Sequence, residues 1–312
     1  MTCPVSHQST SVLPSVDRAA RNPVLEQFER FSGSVFVALF AGALFDQTML
    51  PEVSAALEDT GRFRKTEAFG RAIRSAASEQ LAFAGDDTDR RAEMDRLKRL
   101  HRDVKGVGYN GVRYSALNPQ SWNWIMISTF FMHLRGYEAM IGERLSDADH
   151  QAVWDRYREM VEQLQLPGRS RLVESYPELC AYYDRMVSEK LESNVTLENV
   201  VGLLRRPPRP DFLPRVTAPA WELAAPVAGH VAAVLGFGIM HPGVRSLTGM
   251  RWTARHDFEF AALTKVLGLT YRLLPSVVTD TPLVRNRRRY AKLVERYQAV
   301  GLSSFAPEKL SS

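Results

Sequence analysis

Cysteine is scarce in this chain of 312 residues, which contains two, Cys3 and Cys180. Two cysteines so far apart supply neither a disulfide framework nor the paired spacing of a structural zinc site. The simplest expectation is therefore a protein of a reducing compartment, the cytoplasm. The N-terminal residues also lack a basic start followed by an apolar run, so no secretory signal is predicted.

The chain also lacks the short motifs of several common enzyme classes. It contains no Gly-x-Ser-x-Gly elbow, no Walker loop, no His-Glu-x-x-His and no Glu-x-x-His,. None of its seven histidines lies three or four residues from another. A site built from several histidines would have to be assembled from distant segments, whereas a haem needs one axial imidazole.

A strong excess of one charge is absent as well. Forty basic and 35 acidic side chains leave a net charge of +5, which permits weak attraction to anionic lipid or acidic ligands and does not indicate a nucleic acid partner. The local concentration of positive charge comprises Arg285, Arg287, Arg288, Arg289 and Lys292. We expect it on the solvated face of a terminal helix, with contact to anionic lipid or cofactor carboxylates as the alternative.

Strand signals are few, and the apolar periodicity is helical over most of the chain,. We predict an all-α fold with a single large helical domain over residues 21–300, a loose arm over 1–20 and a tail over 301–312. One small β-hairpin is predicted near residues 107–114, with Asn110-Gly111 as a two-residue turn. Predicted helix starts include Thr88 or Asp89, Asn118-Pro119, Ser146 and Ser175.

The segment Gly106-x-Gly108-x-x-Gly111 matches the dinucleotide-binding fingerprint in its letters. That fingerprint needs a strand before the glycines and a helix start after them, because the backbone amides at the helix start bind the pyrophosphate of the dinucleotide. Here a predicted helix precedes the glycines and a predicted hairpin contains them. Nucleotide binding is therefore not expected.

Residues 223–240 carry no formal charge, and their length is at the lower limit for a membrane span,. The stretch contains Pro226, three glycines and many alanines, which favours a buried helix with close packing. The alternative is a segment that dips into the bilayer surface. Together with the apolar residues 35–45, this stretch would suit a pocket for an apolar substrate.

His101 is the first candidate for a functional side chain. Helical spacing places it on one apolar stripe with Met94, Leu97, Leu100 and Val104,. An inward-facing histidine is either a core residue or a ligand for something held between helices. Periodicity leaves His133 and His230 open as alternatives, and it predicts that His150, beside two aspartates, is exposed.

Arg62, Lys65 and Thr66 form a second stripe with Phe69 and Ile73. Lysine and arginine can extend from a mostly apolar face to water, and threonine can bond to its own helix. Alternatively, a buried cation and hydroxyl would polarise a bound ligand, and a deprotonated lysine could donate its lone pair to a metal. Two such stripes facing each other would form a pocket.

The stripes around Arg62 and His101, together with several later motifs in a fixed order, resemble the latex-clearing-protein and MpaB-type oxygenase family. Arg62-x-x-Lys65-Thr66 resembles an early motif of the family, and His101-x-x-Val104-x-Gly106 resembles its central histidine motif. The pieces that follow are Tyr114-x-Ala116-x-x-Pro119 with Trp122 and Trp124, then His241-Pro242-Gly243-x-Arg245 and the stretch from Leu274-Pro275 to Pro282. The likeness covers about residues 35–295.

The resemblance implies a helical enzyme with haem b, whose iron His101 would hold as the proximal ligand. Arg62, Lys65 and Thr66 would line the opposite side of the haem, where Lys65 can itself ligate the iron in a closed state. Arg62 and Thr66 would orient or polarise dioxygen. The presence of the lysine is a departure from many relatives, and the other pocket residues match no recognised subgroup, so the substrate stays open.

The resulting hypothesis is a haem-dependent oxygenase that cleaves a carbon–carbon double bond of an apolar unsaturated small molecule, such as an isoprenoid or a natural-product side chain. Its partners would be that substrate and dioxygen, and the need for a redox partner is open. The alternative is a protein that is not an enzyme, a non-catalytic helical carrier of haem or lipid. A third hypothesis is the same chemistry in an enzyme at the periphery of a membrane.

Overall fold

The computed structural model describes residues 22–61, 68–166, 171–210 and 213–299. In these ranges the chain is helical apart from one hairpin, which confirms the predicted all-α class. A long 3-10 helix, Val35–Met49, lies between the first two α-helices, and the strands are β1 Lys105–Val107 and β2 Arg113–Ser115. The predicted arm and tail, residues 1–20 and 301–312, lie outside the described residues.

The α-helices are α1 Pro23–Ser32, α2 Pro51–Asp59, α3 Ala68–Ala84, α4 Asp87–His101, α5 Pro119–Ile141, α6 Asp147–Val161, α7 Tyr176–Glu189, α8 Val195–Arg205, α9 Ala218–Gly238, α10 Pro242–Leu247, α11 Ala254–Leu273, α12 Ser276–Thr279 and α13 Pro282–Ala299. Short 3-10 turns follow α6 at Glu162–Leu164 and precede α9 at Arg215–Thr217.

Side-chain caps define several helix starts. Asn118 accepts hydrogen bonds from the first free amides of α5, Ser146 caps α6, and Ser175 forms a capping box with Glu178 at α7, as predicted,. The predicted start of α4 at Thr88 or Asp89 is wrong. Asp86 caps this helix because its carboxylate accepts hydrogen bonds from the amides of both of those residues.

The core lies around the 3-10 helix, which packs against α5, α8 and α9. The segments 35–45 and 223–240, which were expected to suit a pocket for an apolar substrate, pack directly against each other where they cross. A Cβ atom added to Gly236 of α9 would lie 2.7 Å from the Cα of Gly42. Backbone meets backbone there, so the two apolar segments form part of the core.

Helix α9 has a buried half and an exposed half. Residues 233–237 are buried, as predicted, whereas Leu223 and Val227 in its first half are 82% and 67% exposed. By length and composition, one helical stretch in the described ranges, Arg215–Gly238, could cross a membrane. The 3-10 helix and α2 pass the same test only as a pair, and they are bent by 99° relative to each other.

The hairpin is present, but its turn differs from the prediction. Strands β1 and β2 pair antiparallel, with Gly106 opposite Tyr114. The Gly111 amide donates to the Gly108 carbonyl at 2.9 Å, so Tyr109 and Asn110 occupy the centre of the turn. Gly111 then adopts a φ of +75°, which a glycine reaches without strain,. The turn is thus a three-residue loop with a bulge, and the predicted two-residue turn is wrong.

The basic run of α13 is only partly solvated. Arg287 forms ion pairs with Asp86 and Asp89 at the start of α4, and Arg288 pairs with the buried carboxylate of Asp280 at 2.8 Å. Arg289 and Lys292 are exposed, as expected for the whole run. Arg285 is half-buried and donates a hydrogen bond to the Asp280 carbonyl at 3.2 Å. Three of the five cations therefore hold α13 against neighbouring residues.

Candidate functional site

His101 lies at the C-terminal end of α4, half-buried, with its ring edge-on to Trp122 at 5.7 Å between centroids. Its Nδ1 is 2.7 Å from the carbonyl oxygen of Leu97. A carbonyl can only accept a hydrogen bond, so Nδ1 carries the hydrogen. In the neutral ring the lone pair is therefore on Nε2, the tautomer that a metal-binding histidine needs when its other nitrogen donates to a backbone carbonyl.

The stripe predicted around His101 is partly confirmed. Met94 is buried and Leu97 is half-buried, on the same side of α4 as the imidazole. Leu100, however, is 49% exposed. At 100° per residue it points about 120° away from Met94 and about 60° away from Leu97, so the true stripe follows spacings of three and seven.

The hairpin after His101 is held against the end of α2. Tyr114 donates a hydrogen bond to the Asp59 carboxylate at 2.8 Å, and the Tyr109 and Ser54 hydroxyls are 3.0 Å apart. A Cβ atom added to Gly108 would lie 2.4 Å from that of Ala55, so only glycine allows this close approach.

These contacts bring the chain just before Arg62 to the element just after His101. Arg62, Lys65 and Thr66 themselves lie outside the described residues. The predicted pocket between the two stripes therefore stays a prediction. The structure shows that Asp59, three residues before Arg62, contacts Tyr114 of β2.

His133 is a structural histidine. It is fully buried, Nδ1 lies 3.0 Å from the Ser32 hydroxyl, and Nε2 contacts the Glu79 carboxylate. Its ring stacks on Phe83 at 4.2 Å. Both ring nitrogens therefore have protein partners, the pattern expected for a satisfied polar residue in a core.

Two other histidines differ from expectation. His150 was predicted to be exposed, but it is 1% exposed, stacked on Tyr176 and bonded to Glu138 through Nε2 at 2.8 Å. His230 was a core candidate, yet it is exposed and its Nε2 lies 2.7 Å from Glu259. Helix packing decided both cases, since neighbours from other helices cover one ring and leave the other open.

Asp46 is a buried acid that sequence reasoning missed. It accepts hydrogen bonds from Ser128 at 2.5 Å and from Tyr183 at 3.1 Å. Burial raises the pKa of Asp46 to about 6, although these hydrogen bonds and the charge of Arg135 act in the opposite direction,. A usable signal was present: Asp46 is the one charged residue within the apolar run Val35–Met49.

Two clefts of about 400 and 440 Å³ lie on the described surface. Charged side chains contribute to both linings, among them Arg144 and Arg272 in the first and Glu29 and Arg30 in the second. Neither cleft is lined by His101.

Comparison with known proteins gives a family match. A sequence profile for the family described as ER-bound oxygenase mpaB/B'/Rubber oxygenase, catalytic domain, matches residues 30–269. That range includes His101 and the segment 207–214, which contains four prolines. It ends before the Leu274-Pro275 piece of the resemblance.

Two curated relatives are each 25% identical to the chain over 217 residues, which is 70% of this chain and 80% of the relative. They are Uncharacterized protein Mb2261 of Mycobacterium bovis and Uncharacterized protein Rv2237 of Mycobacterium tuberculosis. No solved structure shows a significant match.

Proposed function

Because the chain belongs to the family of ER-bound oxygenase mpaB/B' and rubber oxygenase catalytic domains, we propose that it is a haem b-dependent oxygenase. The proposed reaction uses dioxygen to cleave a carbon–carbon double bond of an apolar unsaturated small molecule, an isoprenoid or a natural-product side chain, to carbonyl products. The observation that carries the proposal is the hydrogen bond from His101 Nδ1 to the Leu97 carbonyl. In this tautomer the lone pair of the ring is on Nε2, the atom that would bind the iron.

In this proposal each side chain has a separate task. The haem supplies the oxidative chemistry when bound, and the protein supplies ligand, access and polarity. His101 holds the iron. Arg62 and Thr66 would be hydrogen-bond donors that orient dioxygen, and the Lys65 amine would be a further candidate ligand for the iron. The tasks of the last three rest on the resemblance, since these residues lie outside the described ranges.

Absorption spectroscopy of the purified full-length protein, before and after addition of haemin, tests the cofactor. We expect a Soret band with about one haem per chain, and then oxygen uptake and carbonyl products with a panel of polyenes but not with their saturated analogues. Addition of a chemical reductant to half of the assays shows whether a redox partner is needed. A chain that takes up no haem overturns the proposal.

A non-catalytic haem or lipid carrier is the alternative function. It would give the same Soret band without oxygen uptake on the polyene panel, with or without reductant. The buried polar contacts of the described core are compatible with a carrier and with an enzyme. Oxygen uptake with the polyenes is therefore the measurement that distinguishes the two functions.

The outer face of α11 supports a further proposal, contact with an anionic membrane surface. Four large apolar side chains lie along this face and are between 59% and 75% exposed: Phe258, Val266, Leu269 and Leu273. At helical spacing, three exposed cations share the face: Arg255, Lys265 and Arg272. Apolar side chains ringed by cations are typical of helices that lie on anionic lipid.

Sedimentation with lipid vesicles tests this contact. We expect the protein to bind vesicles that contain phosphatidylserine and to be released by high salt, because screening weakens the attraction of the cations. Val266→Glu should lose binding, whereas the matched variant Val195→Glu, at an exposed valine of α8, should keep it. Equal binding by both variants, or a change of oligomeric state in place of lipid binding, would contradict the proposal.

A further inference from the structure

Three metal-ligating side chains converge between α9 and α11. His230 of α9 meets His256 and Glu259 of α11, and one ligand atom from each lies within 4.8 Å of the others. The His230 Nε2 is 2.7 Å from Glu259 Oε2, and the two imidazole rings are 5.9 Å apart between centroids. His256 and Glu259 are one helical turn apart, and the packing of α9 on α11 supplies the third side chain.

The donor set is suited to a divalent transition metal. Zinc takes imidazole nitrogen and carboxylate oxygen at roughly 2.0–2.2 Å, commonly with three protein ligands and one open position. Ligand atoms around such an ion are roughly 3.4 Å apart, by tetrahedral geometry from those bond lengths. The observed spacing is therefore within reach of small side-chain rotations. We propose that His230, His256 and Glu259 form a binding site for a divalent transition-metal ion, with Zn²⁺ as the expected occupant.

Neighbouring groups already orient the proposed ligands. Arg255 donates a hydrogen bond to Glu259 Oε1 at 2.7 Å, which leaves Oε2 directed at His230. This hydrogen bond, with a second from His230, holds the pKa of Glu259 below its usual value, so the carboxyl is in its ligating form. Arg255 is 80% exposed, so water screens its repulsion of a bound cation,.

The His256 ring is held on two sides. It stacks on Trp252 at 5.2 Å, and Nδ1 lies 2.8 Å from the Thr253 hydroxyl. Trp252 is itself covered by the Arg245 guanidinium at 4.3 Å. With a metal on Nε2, Nδ1 would donate its hydrogen to the Thr253 hydroxyl, the outer-shell arrangement that fixes metal-bound histidines. The exposed Thr253 amide, which now bonds to Nδ1, would turn to water.

A metal at this position would cross-link α9 to α11. Both helices contribute ligands, so the ion would bind the folded protein and not the unfolded chain, and it would stabilise the fold by mass action. His101 belongs to a different helix, α4, and is not a ligand. The proposal is thus independent of the haem assignment.

Calorimetric titration of the chelator-treated full-length protein with ZnCl₂ tests the site. We expect one Zn²⁺ per chain and a higher melting temperature with Zn²⁺ present. Glu259→Gln should weaken Zn²⁺ binding by about tenfold or more, since even loss of an outer-shell partner costs that much. His230→Ala should abolish binding, and it leaves the helix caps intact.

Glu222→Gln is the matched control, because Glu222 is an exposed carboxylate of α9 outside the cluster. It should bind Zn²⁺ as the unmodified protein does. Absence of binding to the unmodified protein would overturn the proposal. So would binding that both His230→Ala and Glu259→Gln leave unchanged, because the ion would then occupy another place.

Discussion

The His101→Ala variant is expected to purify without haem and to fail to take it up when haemin is added. The imidazole is the proposed donor to the iron, and alanine supplies no lone pair in its place. The change should leave the helices intact, because His101 is half-buried at the last position of α4. The measurement is the Soret absorbance per chain, with far-ultraviolet circular dichroism to check helicity.

Two further measurements make this result specific. Added imidazole should restore a Soret band to the His101→Ala protein, because a free ring can enter the space that the side chain leaves. His230→Ala removes an exposed histidine far along the chain and should keep the full haem content. An unchanged Soret band in His101→Ala would show that another side chain holds the iron.

The second large effect is expected at the crossing of α9 and the 3-10 helix. Gly236→Ala should lower the free energy of unfolding by about 3 kcal/mol, at the upper end of the usual cost of overpacking. The added Cβ would lie 2.7 Å from Gly42 Cα and 3.0 Å from the Gly42 backbone N and C. Backbone atoms cannot rotate away as a side-chain end can, so the helices would have to separate. Urea unfolding measures the loss.

Two alanine variants serve as controls for Gly236→Ala. In Gly42→Ala the new Cβ would lie 3.4 Å from Gly236 Cα, an ordinary contact, so the loss should be smaller. Gly202 of α8 has nothing within 4 Å of a new Cβ, and Gly202→Ala should stabilise the protein by roughly 0.5–1 kcal/mol through helix propensity,. If Gly236→Ala were as stable as Gly42→Ala, the close crossing would be wrong.

Local chemistry made many elements predictable. Caps such as Ser146 and Ser175 act within one helical turn, so the residues that decide the helix start are adjacent in the sequence,. Helix α8 was not predicted, although Asn194 caps it. The start of α4 was misplaced because Thr88, Asp89 and Asp86 are all good caps, and only the backbone path selects Asp86.

The candidate site was predictable only in part. His101 was found from its spacing and from the resemblance, and the family match confirms the resemblance. The tautomer of His101 follows from the distance between its Nδ1 and the Leu97 carbonyl oxygen. Spacing in the sequence does not give this distance. The raised pKa of Asp46 likewise required knowledge of its burial and of its contacts with α5 and α7.

The helical class, the family and the hairpin could be read from the amino acids alone, because each depends on residues close together or on an ordered set of short motifs. Tertiary structure alone decided which histidines meet which partners. His150 is buried against Tyr176, and His230 is joined to Glu259, and in each pair the two residues lie on separate helices. Periodicity reports which side of a helix is apolar, but the element that covers that side, or leaves it open, is set by how the helices pack.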